Sequence, residues 1–211
     1  MAQSKAGERS PAEPLKARER FNRDDVVIAA AISVMSEKGY PSTSIQDVAT
    51  RVGVLKGSLY HYFNSKEELL FRILEESHEQ TRAIHQEIEQ LDLPPLERLL
   101  LNVRRSSEWF LANVERANIF FTEMKHLTGE RHTTAAGWGR VFERSISDSV
   151  VAGQAEGSIR TDIDQRLLTR FVLGAVNNVR FWPSRRSGRQ FDKDTIVDAL
   201  VSLVGDSIRA R

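Results

Sequence analysis

Residues 42–66 constrain this chain more than any other stretch. Ser44-Ile45-Gln46-Asp47 forms a capping box, in which the serine hydroxyl accepts from the Asp47 amide and the carboxylate reaches back. Ile45, Val48, Ala49 and Val52 then recur at helical spacing, so they make one apolar stripe of a short helix. Gly53 follows the last periodic residue, where a backbone with positive φ suits glycine. A second short helix, expected over residues 56–63, puts Leu59 on its apolar side and Lys56, Ser58, Tyr60, His61 and Tyr62 around the rest. Two short helices joined by a glycine turn predict a helix-turn-helix, whose second helix enters the DNA major groove.

The flanking chain supports the same unit. Val27, Ala31, Val34 and Met35 give a helix over about residues 23–38, ended by Gly39. Ser65, with Glu68 three residues on, caps a long helix reaching to about residue 90, the physical link between this unit and the larger remainder of the chain. Before residue 23 the chain holds Gly7, Pro11, Pro14 and mixed charges. Residues 1–22 therefore read as a disordered basic arm, solvated or in contact with DNA phosphates.

Around these positions the sequence resembles the TetR family of bacterial transcriptional repressors. The residues that carry the resemblance are Gly39-Tyr40, Thr43-Ser44, Asp47-Val48-Ala49, Val52-Gly53-Val54, Gly57 through Phe63, and Ser65 through Leu70. One position departs: Leu55 stands where the family usually caps the recognition helix with Ser or Thr. Loss of such a cap weakens the helix start by about 1 kcal/mol and removes a phosphate donor. The resemblance implies a repressor that binds a palindromic double-stranded DNA operator as a homodimer and is released by a small-molecule effector.

After residue 66 only helical patterns appear, punctuated by Pro94-Pro95, Asn113, Gly129, Gly157 and Pro183. The expected fold is all-α: an N-terminal three-helix helix-turn-helix domain at 23–66, and a larger six-helix ligand-binding and dimerisation domain at 67–211. Net charge is +1 over 211 residues, so DNA binding has to come from local basic groups and not from the whole-protein field. There are no cysteines, which excludes disulfides and thiolate metal sites. No apolar run is long enough to span a bilayer and no secretory h-region opens the chain, so no membrane partner is expected and the protein reads as cytoplasmic.

Chemistry-bearing patterns of enzymes are missing: no Walker loop, no GxSxG, no HExxH. No catalytic residue, cofactor or metal is assigned. His78 and His85 lie seven apart among Glu75, Glu76 and Glu79 and read as the solvated face of a charged helix.

The expected DNA contacts are Thr43, Ser44, Lys56, Gly57, Ser58, Tyr60, His61, Tyr62 and Lys66. Lys56 is suited to guanine O6 or N7, and Gly57 to close backbone approach. Thr43, Ser44 and Lys66, at helix starts, are suited to phosphate oxygens. For Tyr60 or Tyr62, packing of the ring is the alternative.

The larger domain is rich in aromatics, which at helical spacing are core residues or walls of a ligand pocket. Expected ligand contacts are Trp109, Phe120, Met124, Trp138, Phe142, Asn178, Arg180 and Trp182. The segment from Asn177 to Pro183 looks like the aromatic-proline stretch of TetR-type regulators that sense acyl-CoA thioesters, although no arginine separates Trp182 from Pro183. Arg180, Arg185 and Arg186 would then meet CoA phosphates. The other ligand class is a neutral aromatic or hydrophobic compound, with these arginines as solvated charges. A regulator with no small ligand, controlled by a protein partner, is the alternative function. Apolar stripes on the last two helices, including Leu168, Phe171 and Ala175 on one and Val197, Leu200 and Val204 on the other, predict a four-helix dimer interface.

Overall fold

The computed structural model describes residues 15–182 and 191–210. These are helical: α1 Leu15–Ser42, α2 Ile45–Val52, α3 Lys56–Leu59, α4 Lys66–Glu89, α5 Pro95–Ala112, α6 Val114–Glu123, α7 Gly129–Glu156, α8 Gln165–Asn178 and α9 Lys193–Ile208. Single 3₁₀ turns follow α6 at Met124–His126 and α8 at Val179–Phe181. Extended pairing among the described residues is limited to an isolated bridge between Ile159 and Arg209. All-α architecture follows from the 3.6-residue periodicity of nearly every apolar stripe.

Local sequence sets the element ends. At α2, both arms of the capping box form: Ser44 Oγ accepts from the Asp47 amide at 3.2 Å and Asp47 Oδ2 accepts from the Ser44 amide at 2.8 Å. Gly53 (φ 81°) closes the helix in the left-handed conformation, its N–H reaching Ala49 and Thr50 carbonyls. At α4, Ser65 Oγ accepts from the Glu68 amide, but the Glu68 carboxylate accepts from the backbone and side-chain amides of Asn64 instead of from Ser65. The reciprocal arm has slipped one residue upstream.

Three boundaries differ from expectation. α1 begins at Leu15, not at residue 23, so residues 15–22 are helical where a disordered arm was expected. The stretch after Pro14 contains no Gly or Pro and is made largely of strong helix formers. The remainder of the expected arm, residues 1–14, lies outside the described residues. At the other end, α1 is interrupted at Gly39 (φ 77°, ψ 155°), the break expected there, although the helical run resumes over Pro41. α3 ends at Leu59; turns then carry Tyr62 and Phe63 back onto the Leu59 carbonyl at 2.9 and 3.1 Å, placing Phe63 in the core.

Two apolar cores result. The first joins α1 to the first half of α4, including Val27, Met35, Val48, Leu59, Phe63, Leu70 and Leu74, and also takes Ile119, Leu127 and Ala135 from α6 to α7. The second is built from α5 and α7 to α9, with Leu99, Val103, Ile146, Val172, Val197 and Leu200. Beyond α7, the chain from Ser158 to Arg160 is tied to the end of α9: Arg160 N–H donates to Ile208 O and Ala210 N–H to Ser158 O.

Gly153 on α7 is required by close packing. A Cβ there would lie 2.6 Å from both Cδ1 and Cγ1 of Ile159, which is fully buried and cannot retreat. Gly153→Ala is expected to lower stability by about 1–3 kcal/mol. Gly139→Ala on the same helix, where a Cβ meets nothing within 4 Å, should instead raise it by up to about 1 kcal/mol. Thermal melts of the two variants check this pair; equal melting points would contradict it.

Candidate nucleic-acid interface and internal cavity

The α2–α3 unit is held to α1 by ion pairs on its outer side. Lys38 Nζ meets Asp47 Oδ1 at 2.8 Å, and Arg51 meets Glu37 at 2.7 Å while also donating to Ser33. The Lys38 ammonium, with the Ser44 donors, holds the Asp47 carboxyl far below the usual carboxylate range, so the capping box stays charged. Leu55 occupies the N-cap of α3 without a side-chain hydrogen bond and is 81% exposed. The missing cap is thus real, and an apolar side chain stands at the tip of the unit.

Of the expected DNA contacts, Ser44, Lys56, Gly57, Tyr60 and His61 are exposed on this unit, and a Cβ at Gly57 would meet nothing within 4 Å. Ser58 and Tyr62 are half-buried, and the Tyr62 ring packs against the first core beside Phe63. Thr43 and Lys66 are engaged inside the protein. Thr43 is 3% exposed and its hydroxyl donates to Gly39 O at 2.8 Å. Lys66 Nζ donates to Tyr40 O at 2.9 Å and Pro41 O at 3.2 Å and lies 4.4 Å from the centre of the Tyr40 ring. Both side chains therefore bind carbonyls at the interrupted end of α1, where Tyr40 O also accepts from the Thr43 amide at 3.1 Å. The Tyr40 ring also packs against His126 in a tilted arrangement with ring centres 5.2 Å apart, and Glu67 accepts from the Thr128 amide and hydroxyl at 2.8 and 3.0 Å. The start of α4 is thereby fastened both to α1 and to the turn between α6 and α7.

Farther along α4 the chain forms a partly open cavity of about 240 Å³ between α4, α5, α6, α7 and α8. Trp109, Phe120, Trp138 and Phe142 line it, as expected. The other four expected ligand residues do not. Met124 packs into the first core. Asn178 is exposed and donates to Gly174 O at 2.7 Å. Arg180 donates to Asn118 Oδ1 at 2.9 Å, with its guanidinium 4.3 Å from the ring centres of Phe121 and Phe181. Trp182 is 41% exposed. The positions of Arg180 and Trp182 follow from α8 ending at Asn178, since the 3₁₀ turn rotates the next residues off the helical face. Arg185 and Arg186 lie outside the described residues.

His78 and His85 are the principal correction. They are 8% and 4% exposed and line the cavity, so the solvated-face reading fails. His78 stacks on Trp138 at 5.1 Å and His85 on Phe142 at 4.7 Å. Asn102 Nδ2 donates to Arg98 O, which leaves its Oδ1 to accept from His85 Nδ1 at 2.7 Å. His85 is thus the Nδ1–H tautomer, with a lone pair on Nε2. Burial pushes both imidazoles below their ordinary pKa, so they are uncharged at neutral pH. The signal was present in the sequence: His78 and His85 are two turns apart, in register with buried Leu74 and Ile88. Sequence reasoning also missed Ser106 and Glu143 in the wall, whereas Asn177, legible as a polar residue among the aromatics near the end of α8, does line it.

The expected dimer residues divide as well. Leu168, Val197, Leu200 and Val204 are buried within the chain's own second core. Phe171 is 46% exposed, and Ala175 is half-buried. The outward stripe of α8 is Leu167, Phe171, Gly174 and Asn178, one position round from the predicted one, and Leu203 is the large apolar residue left exposed on α9. No described helix is long and apolar enough to cross a membrane.

Comparison with known proteins agrees with this geometry. Residues 27–73 match the family described as bacterial regulatory proteins, tetR family, and residues 92–208 match the tetracyclin repressor-like C-terminal domain. The HTH-type transcriptional repressor KstR2 of Rhodococcus jostii (strain RHA1) is 31% identical over 190 residues, covering 90% of this chain and 92% of that protein. The structure of the ketosteroid transcriptional regulator KstR2 of Mycobacterium tuberculosis superposes with a TM-score of 0.82 at 25% identity, covering 90% of this chain and 96% of that one. AibR, solved in complex with isovaleryl coenzyme A and operator DNA, shares the fold with a TM-score of 0.77 at 22% identity, over 86% and 97% of the two chains. From its helix-turn-helix through its C-terminal helices, this chain belongs to the TetR family of bacterial transcriptional regulators.

Proposed function

We propose that the protein is a repressor that binds a palindromic operator as a homodimer and leaves it when a small hydrophobic or acyl-CoA-like ligand fills the cavity. The observation that carries this reading is the course of α4. Its first residue, Lys66, caps the end of α1 beside the DNA-binding unit, and Ser77, His78, Thr81 and His85 on the same helix wall the cavity. A ligand that displaces the second half of α4 therefore pulls on the support of the reading head. It shifts the equilibrium only by its differential affinity for the DNA-free form. The names of similar proteins point the same way: KstR2 is described as a repressor, and AibR was solved with isovaleryl coenzyme A and operator DNA. The cavity has the size and lining for an acyl or ring moiety, with a CoA nucleotide left outside it.

The ligand class is tested by titrating the operator complex with acyl-CoA thioesters beside their free acids and uncharged hydrophobes. Release by thioesters supports an acyl-CoA effector; release by uncharged hydrophobes alone supports the neutral class. No release by any compound on the panel would count against ligand control.

On the DNA side, Lys56→Ala should relax base preference at one position of each half-site, because this exposed lysine stands at the start of α3. Lys66→Ala should instead lower the melting temperature and weaken binding with little change in its salt dependence, since its ammonium is engaged with carbonyls. A salt slope flattened by about one unit in Lys66→Ala would reassign it to a phosphate.

For the dimer, Phe171→Asp and Leu203→Asp test the outward stripe without invading the core, the two residues being 46% and 59% exposed. Each should yield folded monomers with operator affinity reduced at least about tenfold, since a desolvated lone carboxylate is costly. Light scattering that finds dimers in both variants would place the interface elsewhere.

A further inference from the structure

The cavity wall contains polar atoms that the protein itself leaves unpaired. Ser106, on α5, is 3% exposed, and its hydroxyl has no partner. Ser77, Ser107 and Ser149 show the usual outcome for a buried helical serine, donating to the carbonyl four residues back. Asn177, on α8, has a buried Oδ1 without a partner, while its neighbour Asn178 is satisfied by Gly174 O. Unpaired buried polar atoms are costly and need an explanation. Two others in the wall are already engaged: the Trp109 indole N–H donates to Gln80, and the Thr81 hydroxyl to backbone carbonyls. His85 adds an acceptor at Nε2, fixed by its hydrogen bond to Asn102.

Charge narrows the occupant further. The lining includes no lysine or arginine, and its one carboxylate residue is Glu143. Both imidazoles are uncharged through burial. A carboxylate inside would lose its hydration and meet no cation in the lining itself, Arg180 standing against the Phe121 ring instead of in the wall. The walls are ring faces, with His78 stacked on Trp138 and His85 on Phe142, which favours a flat cyclic body.

We propose that Ser106 and Asn177 form the hydrogen-bonding end of the cavity, and that the moiety it selects is an uncharged ring system bearing a hydroxyl or keto oxygen. This rests on the reading of the cavity as the effector site. Ser106 donates to or accepts from the ligand oxygen, and Asn177 Oδ1 accepts from a ligand hydroxyl. A ring acid enters only once its carboxylate is masked, as in a thioester or ester.

The test uses the intact protein and four probes of one shape: naphthalene, 2-naphthol, 2-tetralone and 2-naphthoate, titrated calorimetrically. Naphthol and tetralone should bind about tenfold more tightly than naphthalene, as expected for a hydrogen bond made in a buried site. Naphthoate should bind more weakly than naphthol. Ser106→Ala and Asn177→Leu should each reduce the preference for naphthol over naphthalene, and the double variant should abolish it, with circular dichroism confirming the helical fold. Equal binding of naphthol and naphthalene to the unaltered protein, a preference for naphthoate, a preference that survives both substitutions, or binding of no probe would each overturn the proposal. Operator release by the same probes is measured separately. The expected preference without release would count against release of DNA by a ligand in this cavity and leave this proposal standing. Release by probes that show no such preference would do the reverse.

Discussion

The ammonium of Lys66, set against the carbonyl oxygens of Tyr40 and Pro41, joins the reading unit to the rest of the molecule. α1 breaks at Gly39, and side chains from outside the helix reach the carbonyls around the break. Thr43 supplies one donor from the α2 side and Lys66 supplies two from α4. The same few residues meet the turn before α7 through Tyr40 with His126 and Glu67 with Thr128. A rigid-body link of this kind transmits a displacement of α4, because packed interiors have discrete arrangements and little give.

What the sequence disclosed was local. Ser44, Asp47, Gly53 and Ser65 announce helix ends because capping is decided within four residues, and the structure has these caps. Direction in space was not local. Lys66 looks like a phosphate ligand because it is polar and sits at a helix start, yet its partner Tyr40 is 26 residues away. The histidines failed for a related reason. Their glutamate neighbours on α4 suggested water, but a helix has two sides, and position relative to Leu74 and Ile88 decides which one a residue takes. On α8 and α9 both sides are apolar, so periodicity finds a stripe without saying which is covered; Leu168 and Leu200 are inside, while Leu167 and Leu203 are outside.

The cavity shows why composition pointed in the right direction, although only half of the residues expected to line it do so. Aromatic side chains are large enough to wall off space where helices diverge, so Trp109, Phe120, Trp138 and Phe142 were legible as a set. The polar groups that give the space its chemistry are small residues on opposing helices, Ser106 and Asn177, ordinary as letters in a sequence. Only the absence of a partner distinguishes Ser106 from Ser107, and a partner is a property of three dimensions.

The tie between Ser158–Arg160 and the end of α9 bears on the order in which this protein can assemble as it is made. Most contacts of the first core lie within some fifty residues, from Val27 to Leu74, with a few added from α6 to α7. The second core closes only when α9 reaches back to α5, about a hundred residues upstream, and Ala210 pairs with Ser158. Contacts so distant in sequence form late, since the loop they close must be ordered first. On the ribosome, the reading head therefore precedes the assembly that restrains it. The last turns of the chain complete the support of α8, the helix that carries Asn177 into the cavity wall.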